Sequence, residues 1–171
     1  MKPTMKPVNG TLALILVFLL IGLSACGFQL RGTNLQALQN TSIYVQSSGA
    51  NVLAAEVKRQ LLYADVTPVS SASDADYIVN LSNESFRTKV LSVSATTGKV
   101  DEYEVTYTAM LKLTGPDKSS TASANPVSAS RDYTFDEGAV LGTFRKESVL
   151  KKDIAKQVAA TVLRRLRAAI Q

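Results

Sequence analysis

Residues 103–116 read YEVTYTAMLKLTGP. Tyr103, Val105, Tyr107, Ala109, Leu111 and Leu113 alternate without a break with Glu104, Thr106, Thr108, Met110, Lys112 and Thr114. A strict period of two marks a strand with one buried and one wet face, the habit of an antiparallel sheet packed on one side only. Gly115-Pro116 ends it, because proline brings no N–H to a ladder. A sheet of this kind needs a second layer to cover its apolar face, so the rest of the chain must supply helices.

Upstream, Thr96-Thr97-Gly98-Lys99 is a turn signal, preceded by two β-type runs, Tyr77–Leu81 and the less regular Phe86–Val93 with Arg87 and Lys89 inside it. Downstream, Asp117–Pro126 is rich in Ser and Ala and reads as a flexible hairpin loop, with the chain returning as a strand over Arg131–Asp136, Tyr133 and Phe135 facing one way. Ile43–Gln46 is a further short strand. Two stretches change period. Ala50, Leu53, Ala54, Val57, Leu61 and Ala64 recur at spacings of three and four, with Ser47 or Ser48 as caps and Pro68 as the stop. Leu150, Ile154, Val158, Val162, Leu166 and Ile170, with Leu163 at the edge, form the stripe of a long closing helix carrying Lys151, Lys152, Lys156, Arg164, Arg165 and Arg167 on its other sides; the three arginines suit the negative end of its dipole. The fold expected is α+β: two helices on one face of a four- to five-stranded, mostly antiparallel mixed sheet, with the strands flanking the first helix parallel through a crossover.

The N-terminus has another purpose. Lys2 and Lys6 precede an apolar run from Leu12 to Ile21, and Leu23-Ser24-Ala25-Cys26 follows. This is the layout of a bacterial secretory leader with a lipoprotein cleavage site. The run is shorter than the ~20 apolar residues of a spanning helix, which disfavours an uncleaved anchor. The organisation expected is a leader over 1–25, a lipidated segment over 26–40 and a single α+β domain over 41–171. Cys26, the only cysteine, carries N-acyl and S-diacylglycerol lipid in this reading, which leaves no thiol for disulfides or metals. Two chains already give stable anchoring at ~0.8 kcal/mol per buried methylene. Gly27 stands where, in similar bacterial lipoproteins, an Asp holds the protein at the inner membrane, and so favours the outer one.

Chemistry is hard to place. The 171-residue chain has no histidine, removing the commonest general base and metal ligand. No serine lies in a nucleophile elbow or Ser-x-x-Lys context, and Gly138–Gly142 lacks the Lys-Ser/Thr of a phosphate loop. Asp132, Asp136 and Glu137 read as a solvated strand end rather than a cation site. No catalytic residue, metal or cofactor is expected. The net charge is +5. An exported chain has little access to nucleic acid, so phosphorylated glycolipid headgroups, anionic phospholipids or an acidic partner are the expected targets. The candidate phosphate contacts are Arg87, Lys89 and Lys99 around the central turn and Arg145 and Lys146 before the last helix.

Cys26-Gly27-Phe28-Gln29-Leu30-Arg31-Gly32 resembles the opening of the lipopolysaccharide-assembly lipoprotein family, LptE. The β–α unit, the tyrosine-bearing strand after a Gly turn and the basic closing helix extend the resemblance over residues 26 to 170. It implies two helices on a four-stranded sheet. It also implies a non-enzymatic lipoprotein anchored in the outer membrane on its periplasmic side. Such a protein lodges, one to one, within the lumen of the lipopolysaccharide-inserting barrel LptD, helps assemble it, and binds lipopolysaccharide through basic residues. Gly27, Phe28, Leu30, Arg31 and Gly32 are the motif residues. The alternative is a tethered lipid carrier without a barrel, for which an apolar groove of several hundred cubic ångströms is expected.

Overall fold

A computed structural model describes residues 38–117, 123–135 and 140–170, the last with side chains from Arg145 onward. Its elements are β1 (Ile43–Ser48), α1 (Asn51–Tyr63), β2 (Tyr77–Val93), β3 (Val100–Thr114), β4 (Asn125–Thr134) and α2 (Val140–Ile170). The sheet order is β1-β2-β3-β4, with β1 and β2 parallel and the other pairs antiparallel. The α+β architecture, the four strands and the parallel pair around α1 agree with the periodicity.

The alternation in β3 is realised as expected. Val105, Tyr107, Ala109 and Leu111 are buried, while Thr106, Thr108 and Met110 lie on the other face, half-covered. The covered face carries one core: Ile43 and Val45 of β1, Val79 and Leu81 of β2, the β3 row and Val127 of β4, under Leu53, Val57 and Leu61 of α1 and Ile154, Val158, Val162 and Leu166 of α2. Each such aliphatic side chain contributes about 1.5–3 kcal/mol. From Arg145 onward the first fully buried residue of α2 is Ile154; Arg145, Lys146, Ser148 and Val149 before it are exposed.

Four expectations are corrected. The runs Tyr77–Leu81 and Phe86–Val93 are one strand. Between Ser82 and Ser85 the register with β3 shifts, and Asn83 adopts φ 53°. A bulge inserts one residue and swaps the face of every later side chain. Val79 and Leu81 therefore point to the helices, and so does Phe86, whose ring lies 4.5 Å from that of Tyr107. The swap breaks the period and made one strand read as two. β4 starts at Asn125, inside the expected loop, and ends at Thr134. α2 starts at Val140, so that Gly142, Arg145 and Lys146 lie within the helix rather than before it. Finally, α1 is closed before Pro68 is reached. Asp65 takes φ 58°, and Asp65 N donates to Leu62 O (3.1 Å) and Val66 N to Leu61 O (2.9 Å). This double bond is a Schellman ending, completed by the burial of Leu61 and Val66.

The start of α1 is also not as expected. Ala50 occupies the cap position and supplies no side-chain acceptor. Ser47 Oγ accepts from Ala50 N at 3.1 Å, one residue outside the helix. The helical N–H groups of Val52 and Leu53 instead donate to the Glu84 carboxylate, both at 3.2 Å. The Tyr107 hydroxyl donates to the same carboxylate at 2.6 Å, and Glu84 N donates to Gly49 O at 3.2 Å. The bulge thus aims Glu84 at the helix, where a carboxylate meets both the unpaired N–H groups and the positive dipole end.

Replacing Glu84 by Ala removes these bonds together. A loss of about 2–3 kcal/mol is expected from charge-assisted bonds and a lost cap, measured by urea unfolding. A double-mutant cycle with Tyr107→Phe should show a coupling of ~1 kcal/mol. The Tyr107 hydroxyl is held far above the ordinary tyrosine range, first by burial and then by its bond to Glu84. Its contribution is therefore complete below pH ~10, where the unfolded chain also keeps the proton, and is lost as pH rises above that. Unfolding from pH 8 to 11.5 should show a steeper alkaline decline for the native protein than for Tyr107→Phe.

Candidate functional site

The open face of the sheet is built of cross-strand rows. Gln46, Asn80 and Lys112 form one, with Asn80 Nδ2 donating to Gln46 Oε1 at 3.2 Å. Ser82, Met110 and Pro126 form the next, then Ser85, Thr108 and Ser128, then Arg87, Thr106 and Ser130, then Lys89, Glu104 and Asp132. Hydroxyls, amides and mixed charges dominate this face, with Met110 and Pro126 as its apolar members.

The bulge decides where two of the predicted phosphate contacts go. Past it, Arg87 and Lys89 point to the open face, opposite in sense to Phe86. Arg87 is flanked by the hydroxyls of Thr106 and Ser130, and no carboxylate lies in its row. Lys89 stands directly across from Glu104, with Asp132 beyond; opposite charges in one row attract each other and lower its availability to an outside anion. Lys99 follows the β2–β3 turn. There Gly98 at φ 70° lets its N–H reach Ser94 O (2.8 Å), and Ser94 N donates to Lys99 O (2.7 Å). Arg145 and Lys146 are at the same end of the sheet but on the helix layer, across the strands from Arg87. The five candidates thus gather at one end and divide between two faces. All five are exposed. Cys26 and the motif residues Gly27, Phe28, Leu30, Arg31 and Gly32 lie outside the described residues, as do Asp136, Glu137 and Gly138.

On the helix layer the exposed first half of α2 is flanked by two clefts. One, of ≈ 540 Å³, lies between α2 and β4 and is lined by Tyr133, Arg145, Lys146, Val149, Leu150 and Asp153. The other, of ≈ 630 Å³, lies on the side of β2 and α1 and is lined by Val52, Phe86, Glu147, Ser148, Lys151 and Lys152. Lys151 bridges to Glu147 at 2.8 Å and lies 5.7 Å from the Phe86 ring centre. Tyr133 is stacked on Tyr103 at 5.6 Å, and Phe135 meets Tyr103 edge-on at 5.7 Å. The Tyr133 hydroxyl is held above its ordinary range, chiefly by burial and next by the nearby Glu147 charge. Sequence reading placed Tyr103 and Tyr107 in the core. Tyr107 is fully buried, whereas Tyr103 belongs to this partly exposed aromatic cluster. It missed Glu84 and the cleft under Tyr133. The only sign of the first was the polar interruption Ser82-Asn83-Glu84-Ser85, and the second has none, because α2 and β4 are brought together by the fold.

Among the described residues no group of His, Cys, Asp and Glu is placed to hold a metal ion, and no helix is long and apolar enough to cross a membrane.

These features define a two-layer α+β domain with a covered apolar face and an open polar one. Residues 40–166 match the model of the LptE lipopolysaccharide-assembly family, and the chain belongs to that family. Similar solved structures are those of rare lipoprotein B from Shewanella oneidensis (26% identity, 75% of this chain and 95% of that one, TM-score 0.65) and a lipoprotein B from Nitrosomonas europaea (22%, 83% and 91%, 0.67). A minor lipoprotein from Acinetobacter baumannii has the same fold (18%, 75% and 92%, 0.59). Among curated protein sequences none matches significantly.

Their cross-strand neighbours separate the basic residues. Arg87→Glu should weaken binding of lipopolysaccharide by the isolated domain several-fold at low salt, the loss shrinking as salt screens it. Lys89→Glu should change it less, because Glu104 already offsets that charge. Titration at two ionic strengths compares them.

Proposed function

We propose that this protein is a non-enzymatic lipoprotein of the outer membrane that fills the lumen of the lipopolysaccharide-inserting barrel, LptD, one to one. It assists the assembly of that barrel and binds lipopolysaccharide in transit. The observation that carries this reading is the open sheet face. A wide barrel has a polar lumen. A sheet face dominated by serines, threonines, amides and charged side chains can lie against such a wall without burying a large apolar patch. Membership of the lipopolysaccharide-assembly family points the same way. The lipid at Cys26 keeps the domain at the membrane, and Arg87 on that polar face, with Lys99 at the turn beyond it, offers cations to glycolipid phosphates.

Purification of the native protein from outer membranes in mild detergent tests it. The expected result is a stable equimolar complex with a large β-barrel protein. Recovery of the protein alone, with normal barrel assembly in its absence, rejects the reading. Cys26→Ser should release the protein from membranes while leaving the melting temperature of the domain unchanged, because the core among the described residues is built from Leu38 onward.

The clefts beside α2 favour a second reading, a tethered lipid carrier without a barrel. The larger cleft is ringed by Glu147, Ser148, Lys151 and Lys152 and suits acyl chains poorly. The smaller is more apolar, yet gives room for little more than one chain. A soluble form starting after Cys26 that sequesters lipid stoichiometrically, without a barrel, would favour the carrier.

A further inference from the structure

The two edges of the sheet are treated differently. Beside β1, the chain folds back, and Val69 N donates to Ile43 O at 2.9 Å. Among the described residues no segment pairs with the outer edge of β4. Phe135 N donates to Asp101 O, continuing the line of odd-numbered β4 residues that face β3. Pro126, of the opposite parity, has no N–H, and its carbonyl accepts from Arg165 Nη1 at 3.1 Å instead of from β3. The period of an antiparallel ladder then turns the N–H and C=O groups of Ser128, Ser130 and Asp132 outward. Directly beyond this edge, roofed by the first half of α2, is the ≈ 540 Å³ cleft, and no residue of β1, β2 or β3 lines it. Val149, on its roof, is 58% exposed.

An unpaired backbone row beside an apolar cleft under an overhanging helix is the shape left by a missing strand. We propose that β4 accepts an extended segment of a partner protein as a fifth strand along Val127–Thr134. Main-chain bonds to Ser128, Ser130 and Asp132 hold it, and its alternate apolar side chains fill the cleft against Tyr133, Val149 and Leu150. Pro126 and Arg165 set the end of the usable edge. The charges specify the segment further. Arg131 points to the helix layer at mid-edge, and Arg145 and Lys146 rim the cleft, so the segment carries acidic side chains beside its apolar ones. They also argue against a second copy, since pairing β4 with itself about Ser130 brings two Arg131 side chains together on one face.

This inference rests on the protein working in a complex, and the test separates the two ideas. Amide hydrogen exchange is measured on the isolated domain and on the native complex extracted from outer membranes. In the isolated domain Ser128, Ser130 and Asp132 should exchange much faster than Ala129 and Arg131. In the complex they should slow at least tenfold. Ser130→Pro removes one outward N–H but no bond to β3. It should leave the domain's melting temperature within a few degrees and cut recovery of the complex at least tenfold, whereas Ser130→Ala should not. An intact barrel complex with these amides still fast, or with Ser130→Pro assembling normally, overturns strand addition and leaves the barrel reading standing. Absence of any protein complex overturns both. Protection that appears on concentrating the isolated domain assigns the edge to a second copy. Protection by phosphatidylglycerol vesicles alone assigns the cleft to lipid. Either of these last results overturns the proposal.

Discussion

The carboxylate of Glu84 holds the two layers in register. It takes hydrogen bonds from the first turn of α1 and from the Tyr107 hydroxyl at once. A helix beginning at alanine leaves its early N–H groups without a local acceptor, and burying them unpaired costs about 1–3 kcal/mol each. The acceptor comes instead from a strand, and it can reach only because β2 gains a residue there. One bulge therefore caps a helix, seats a buried tyrosine and reverses the facing of the outer half of β2.

That reversal divides the molecule's surfaces. Before the bulge β2 contributes Val79 and Leu81 to the core; after it, Phe86 continues the aromatic packing while Arg87 and Lys89 go to the open face. Without the extra residue, Phe86 would face water and the two cations would be driven toward Tyr107, at a desolvation cost no pairing there offsets. The polar face proposed to meet a barrel wall, and the cations proposed to meet phosphate, depend on the same backbone irregularity that positions α1.

The helix layer is uneven in a way that gives it a second role. α1 is sealed at both ends, by Glu84 at one and by the Schellman bonds around Asp65 at the other. α2 is anchored from Ile154 onward, while its earlier turns overhang β4 with Val149 exposed. The polar face and the overhung edge are different surfaces at the same end of the sheet, so a glycolipid on one and a protein strand beside the other do not exclude each other.

Much of the fold was legible from residues 103–114 and the two helical stripes, because burial of one face imposes a period that needs no knowledge of the partner surface. The lipoprotein leader expected over 1–25 is likewise a linear pattern. The basic residues were legible as a set, since charge is visible in sequence, but not as a site. Arg87 and Lys89 differ only in what stands across the sheet from them, hydroxyls in one case and Glu104 in the other. Residue types and periods thus determined the class of fold and most of the core. The tertiary structure alone decided that two runs are one bulged strand, that Glu84 caps a distant helix, and that β4 is left with an open edge beneath α2. Each of these depends on contacts between segments far apart in the chain, and no local period encodes them.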